Sequence, residues 1–96
     1  MDVLSKQLDS YLTRMGSLHT LHNRKMEGYI RNLLFLLPPG EGDILAEYYG
    51  ILGTEKLPLE EIARRHGITL EETQRHIEKN LRQIAITPEW QLIGGK

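Results

Sequence analysis

Apolar residues recur at every third or fourth position through most of this 96-residue chain, and no stretch alternates apolar and polar residues as a strand does. This spacing places the apolar side chains of each segment on one helical face. Breaks in the pattern fall at residues 38–40, at Gly50 or Gly53, before Pro58 and at Gly67. They predict a third helix over roughly residues 41–49 and place Pro58 in the first turn of the fourth, and Asn23 is the predicted cap of the second helix. The sequence therefore predicts an all-α fold of about five helices, with one further short turn carrying Trp90.

The first predicted helix lies within residues 1–22, and Asp2 is its predicted N-cap. Gly16 lowers the stability of this helix by about 1 kcal/mol relative to alanine. The apolar stripe of the helix predicts either packing against the core of its own chain or a homodimer contact. Packing within the chain is favoured, because about two and a half heptads are short for a coiled coil. The stripe consists of Leu4, Leu8, Tyr11, Met15 and Leu18.

The most informative local pattern is a pair of helices joined by a tight turn, over residues 58–86. Gly67 can adopt the positive φ that such a turn needs, and Ile68 supplies an apolar wedge between the helices. Thr69 then caps the second helix, with Glu72 three residues later completing a capping box. This spacing indicates a helix-turn-helix, although an ordinary corner between two helices has the same spacing.

Charge and composition narrow the class of protein. The chain has 12 Lys and Arg against 13 Asp and Glu, a net charge of −1, whereas a free-standing DNA-binding domain usually has a basic excess. Any nucleic-acid surface must therefore arise from the arrangement of charges in space. The absence of cysteine excludes disulfides, and no apolar run is long enough to span a membrane, so we expect a cytoplasmic protein. Residues 23–93 are predicted to form one helical domain and residues 94–96 a loose tail.

Catalytic and metal-binding motifs are not found in the sequence. His19 and His22 have the spacing of two ligands on one helix, but no third ligand stands nearby, so we expect no metal and no cofactor. Asp43 and Glu47 lie one helical turn apart and are predicted to form a solvated face rather than an acid–base pair. No nucleophile is paired with a base. The sequence predicts that the protein is not an enzyme.

Five short motifs between Leu36 and Ala85 occur in the order found in region 4 of primary bacterial sigma factors, which this stretch resembles. The resemblance implies a helix-turn-helix whose second helix enters the major groove of promoter DNA, and a domain that docks on the flap of the RNA polymerase β subunit. The motifs are Leu37-Pro38, Tyr49-Gly50, Gly53, Leu59-Glu60-Glu61-Ile62 and the helix from Thr69 onward.

Carried over by position, the resemblance implies four groove-facing residues: Leu70, Glu71, Gln74 and Arg75. Glu71 matches the acid usual in the family, and a glutamate can accept a hydrogen bond from cytosine N4. Leu70 and Gln74 stand where the family typically has arginine, and Arg75 stands where it has glutamine. These differences imply a different target sequence or a weaker affinity for DNA.

Further cations are candidates for phosphate contact. Arg75, Lys79 and Arg82 form one stripe on the second helix, and Arg64 and Arg65 end the first. The alternative is that Arg75 and Arg82 form i,i+4 ion pairs, with Glu71 and Glu78 respectively, on a solvated face.

Two hypotheses for the function follow. The first is a DNA-binding transcription regulator, and the second is a protein-interaction module of the same fold that binds RNA polymerase or another regulator. One face shared by the five cations favours the first hypothesis. Carboxylates interrupting that face favour the second.

Overall fold

The computed structural model describes residues 2–17 and 24–93, which form six α-helices and no strand. The prediction of an all-α fold is confirmed. The turn around Trp90 forms a helix of its own, which brings the number of helices in the described residues to six. None of these helices is long and apolar enough to cross a membrane. Their bounds are Val3–Ser17 (α1), Arg24–Leu34 (α2), Glu41–Tyr49 (α3), Leu59–His66 (α4), Leu70–Ala85 (α5) and Pro88–Ile93 (α6).

Local chemistry sets several of these helix ends. The backbone N–H of Ser5 donates to Asp2 Oδ1 at 2.8 Å, so Asp2 caps α1 as predicted. Pro58 is the N-cap residue of α4 rather than part of its first turn. Thr87 Oγ1 accepts the N–H of Trp90 at 3.2 Å and so caps α6. The predicted cap of α2, Asn23, lies outside the described residues.

Helix α5 is the centre of the fold, because α1, α3, α4 and α6 all pack against it. Each of these helices and α5 itself contributes a side chain that is completely buried. This arrangement lets a chain of modest size close one apolar core. The five side chains are Leu8, Leu45, Ile62, Leu81 and Trp90.

The apolar stripe of α1 packs inside the molecule. Leu8 is fully buried, and Leu4, Tyr11 and Met15 are partly buried against the core. The ring of Tyr11 meets Trp90 edge-on, with 5.3 Å between centroids. The structure therefore shows packing within the chain. Leu18 and the predicted boundary between residues 22 and 23 lie outside the described residues.

Gly16 marks the closest approach of α1 to α3. The helix continues through this glycine to Ser17, and a Cβ atom at Gly16 would lie only 1.9 Å from the carbonyl oxygen of Tyr49. The hydroxyl of Tyr49 also donates to Asp9 Oδ1 at 2.5 Å. The helix-breaking residue in α1 is thus required by packing, which the local sequence pattern could not show.

Candidate nucleic-acid interface

The turn between α4 and α5 is built on one left-handed glycine. Gly67 has a φ of 66°, a conformation that side-chain-bearing residues rarely adopt. The N–H groups of Gly67 and Ile68 donate to the carbonyls of Arg64 and Ala63 at 3.3 and 3.1 Å, which closes the end of α4. Ile68 is partly buried against the core. These contacts fix the direction in which α5 leaves the turn.

Thr69 begins α5 with a cap that differs in one bond from the predicted capping box. Its Oγ1 accepts the backbone N–H of Glu72 at 3.0 Å, as predicted. The Glu72 carboxylate bonds the Thr69 hydroxyl at 3.2 Å instead of reaching back to a backbone N–H. One turn later, the hydroxyl of Thr73 donates to the Thr69 carbonyl at 2.9 Å. This bond satisfies the hydroxyl of a threonine that is completely buried.

Glu41 ties the first turn of α3 to the middle of α5. His76 Nδ1 lies 2.6 Å from Glu41 Oε1, and the amide of Asn80 donates to the same oxygen at 3.2 Å. Burial of Glu41 opposes its ionisation, but these two hydrogen bonds and the nearby charges of Lys79 and His76 together outweigh burial and lower the pKa of the carboxyl. These hydrogen bonds fasten the core-facing side of α5 to α3.

Glu47 makes the corresponding contact with α4. Its Oε1 lies 2.9 Å from His66 Nε2, and its Oε2 lies 3.7 Å from the Arg65 guanidinium. The prediction that Asp43 and Glu47 form a solvated face is therefore wrong for Glu47 and right for the exposed Asp43. A sequence gives no direct signal for such a contact, because the two partners lie on different helices and 19 residues apart in the chain.

The first two turns of α5 turn one side to solvent and the other to the core. All four predicted groove-facing residues are exposed, and Leu70 leaves 39% of its surface accessible. Thr73, between them in the chain, and Ile77, which follows them, are buried. The exposed tip consists of Leu70, Glu71, Gln74 and Arg75.

The two arginines of α4 are paired with carboxylates. Arg64 bonds both carboxylate oxygens of Glu61, and this contact lowers the pKa of that carboxyl. Arg65 lies 3.5 Å from Glu61 and 3.7 Å from Glu47. Both arginines stay exposed, so these pairs are weak and open to exchange with another anion.

The three cations of α5 have different surroundings. Arg82 lies 3.6 Å from the carboxylate of Asp2, next to the start of α1. Arg75 and Lys79 are exposed and form no ion pair within 4.0 Å among the described residues. Arg75 therefore keeps its charge available at the tip of α5.

The i,i+4 ion pairs of the alternative interpretation are not formed on α5. Neither Glu71–Arg75 nor Glu78–Arg82 lies within 4.0 Å in the described part of the chain, and Arg82 bonds Asp2 instead. Such pairs contribute only about 0.3–0.5 kcal/mol on an exposed helix, too little to hold long side chains together against solvent.

The exposed face of α5 nevertheless has mixed charge. Glu71, Glu72 and Glu78 are interspersed with the three cations of the helix. The five cations therefore do not form one uninterrupted basic face, because carboxylates lie among them on α4 and on α5. By the criterion given above, the interruption favours the second hypothesis, a protein-interaction module, and under the first hypothesis it implies weak affinity for DNA.

A short helix, a glycine turn and a second helix exposed on its outer side define a helix-turn-helix domain. Residues 33–85, more than half of the chain, match the family model described as sigma-70, region 4. The chain belongs to this family, whose members are DNA-binding regulatory domains rather than enzymes. The matched residues run from the end of α2 to the end of α5, so α1 and α6 lie outside them. Neither the curated proteins nor the solved structures gave a match.

Proposed function

We propose that this protein is a DNA-binding transcription regulator that places the first two turns of α5 in the major groove. The exposed tip carries the proposal, because its four side chains face solvent while Thr73 and Ile77 hold the same turns in the core. In helix-turn-helix proteins, the N-terminal residues of the second helix contact base edges. We expect a regulator of this kind to work in the cytoplasm.

Phosphate contacts are assigned to the cations beside the tip. Arg75 and Lys79 are unpaired among the described residues, and they meet phosphates without breaking an ion pair. Arg64, Arg65 and Arg82 must exchange a carboxylate for a phosphate, and solvent screening makes each of these exposed pairs weak. With carboxylates close to the same surface, we expect modest affinity that depends strongly on salt.

The test is selection from random duplex DNA at low salt, followed by sequencing of the retained duplexes and a salt titration of the best one. We expect an enriched motif and a slope of about −3 in log affinity against log salt, for three to four contacted phosphates. Arg75→Ala should weaken binding, and Gln83→Ala, an exposed position at the far end of α5, serves as the control. If no duplex is retained, or if no motif is enriched, the proposal is wrong.

Exposed apolar residues beside a groove between α2 and α3 support a second candidate function, docking on a protein. Phe35 and Leu36 follow α2 and are 77% and 62% exposed, although both are apolar. Phe35 lines an open groove of about 540 Å³, whose walls include Pro38, Ala46 and Leu52 and also the charged Arg31 and Asp43. Exposed apolar patches of this kind mark protein contacts more often than they mark DNA contacts. The family suggests the flap of the RNA polymerase β subunit as the partner.

Calorimetric titration of an isolated β flap domain into the protein tests this second candidate. We expect binding that Phe35→Ser or Leu36→Ser weakens by at least tenfold, since each removes an apolar contact of about 2 kcal/mol. Leu92→Ser, at an equally exposed apolar position on α6, is the matched control. Binding that is insensitive to Phe35 and Leu36 would assign the contact to another surface.

A further inference from the structure

The tip of α5 presents one apolar side chain and one amide to solvent. Leu70 is the first residue of α5, and Gln74 follows one helical turn later on the same side. Gln74 is exposed, and its amide makes no hydrogen bond to any other residue that the structure describes. Neither side chain is charged, so neither can bind a phosphate by charge. Both remain available for base edges.

We propose that Leu70 contacts the methyl group of a thymine and that Gln74 bonds an adenine, so that A·T pairs lie under the tip of α5. This inference rests on the proposed DNA-binding function. In the major groove, a glutamine amide can donate to adenine N7 and accept from adenine N6, and an apolar side chain can pack on the thymine methyl. An arginine in either place would instead favour guanine.

The geometry fits two base pairs that are close neighbours. Side chains one turn apart on a helix have Cβ atoms about 5–6 Å apart, and base pairs are stacked about 3.4 Å apart. Leu70 and Gln74 therefore reach pairs that are one or two steps apart. The cap on Thr69 and the buried Thr73 hold this turn in place, so the two side chains need little ordering when they bind.

The experiment changes single atoms of the DNA and compares matched variants. Starting from the best selected duplex, each thymine is replaced in turn by deoxyuridine, which lacks only the methyl group. Each adenine is replaced by 7-deazaadenine, which lacks N7. Affinities are measured for the wild type, Leu70→Ala and Gln74→Ala, with Leu92→Ala and Gln83→Ala as controls at exposed positions outside the tip.

For the wild type, we expect one deoxyuridine position to weaken binding about three- to fourfold, the effect of one buried methyl group. One 7-deazaadenine position should weaken it about fivefold or more. Leu70→Ala should abolish only the first sensitivity and Gln74→Ala only the second. Both controls should keep both sensitivities.

Two failures are distinguishable. If a motif is selected but the variants keep the wild-type sensitivity to both modified bases, the assignment of Leu70 and Gln74 is overturned while DNA binding stands. If no duplex is retained, the proposed function itself fails, and the inference fails with it. Leu70→Ala and Gln74→Ala change exposed residues, and an unchanged urea midpoint confirms that each variant is folded.

Discussion

The two sides of α5 are used in opposite ways. The inner side places Ile77, Leu81 and Ile84 in the core, and His76 and Asn80 bond Glu41 of α3. The outer side of its first two turns leaves Leu70, Gln74 and Arg75 in water with no ion pair or side-chain hydrogen bond among the described residues. One helix thus separates the residues that fix its position from those that can meet a ligand. Substitutions on the two sides should therefore have separable effects on stability and on binding.

Helix α1 packs against the inner side of α5, although it lies outside the residues that match the family. Leu8 and Leu12 are almost completely buried. The domain therefore includes a segment that the family pattern does not cover, and the free energy of unfolding should depend on it.

The largest effect should come from Leu12→Ala. Truncating a buried leucine removes its transfer free energy and leaves a cavity, so we expect a loss of about 2–5 kcal/mol in the free energy of unfolding, measured by urea denaturation. Leu92→Ala, at a side chain that is 73% exposed, should stay within about 0.5 kcal/mol of the wild type. A loss below about 1 kcal/mol for Leu12→Ala would mean that α1 does not unfold together with the rest of the domain.

Gly16→Ala should also lower the free energy of unfolding, by less than Leu12→Ala, because it too disturbs the packing of α1. The new Cβ would meet the Tyr49 carbonyl at 1.9 Å and force α1 away from α3. We expect a net loss of about 1–3 kcal/mol in the free energy of unfolding, although alanine favours the helix by about 1 kcal/mol. Urea denaturation measures this loss.

Gly28→Ala is the matched control for Gly16→Ala. Gly28 lies inside α2, and a Cβ atom added there would have no neighbouring atom within 4 Å. The substitution should stabilise the protein by up to about 1 kcal/mol. Equal effects at the two glycines would contradict the close approach of α1 and α3.

Local chemistry was predictable from the sequence, and contacts between helices were not. The bounds of α3 and the Thr69 cap follow from nearby residues, and the structure has them where they were predicted. The stripe predicted for α1 omitted Leu12, because a strict heptad spacing passes over it. The bond between Glu47 and His66 depends on which helices meet, a property of the whole fold. The exposed tip was predictable in position, but the charges around it depend on side chains from α1 and α3.

The bond network of Glu41 should make stability depend on pH. Its folded-state pKa is lowered, so its contribution is fully present above the ordinary carboxyl pKa of 4.5 and is lost as pH falls through the folded value. Glu41→Gln removes the charge, so it should cost about 1 kcal/mol near neutral pH, and this difference should shrink on acidification below that range. Urea midpoints measured from neutral to acidic pH test this. Asp43→Asn, at an exposed carboxylate of the same helix, is the control.

The smallest effects on stability should be those at the tip. Leu70→Ala, Gln74→Ala and Arg75→Ala each change a side chain that faces water, so each should alter the free energy of unfolding by no more than about 0.5 kcal/mol. The same three variants should reduce affinity for the selected duplex, whereas Leu12→Ala should reduce it only under conditions where part of the protein is unfolded. Urea titrations and DNA titrations of one set of variants therefore measure the two sides of α5 independently.

If a tip variant loses several kcal/mol of stability, its side chain belongs to the core, and the separation between the two sides fails at that residue. If all three tip variants keep both stability and affinity, α5 holds the fold without reading DNA, and the exposed Phe35 and Leu36 become the surface to pursue.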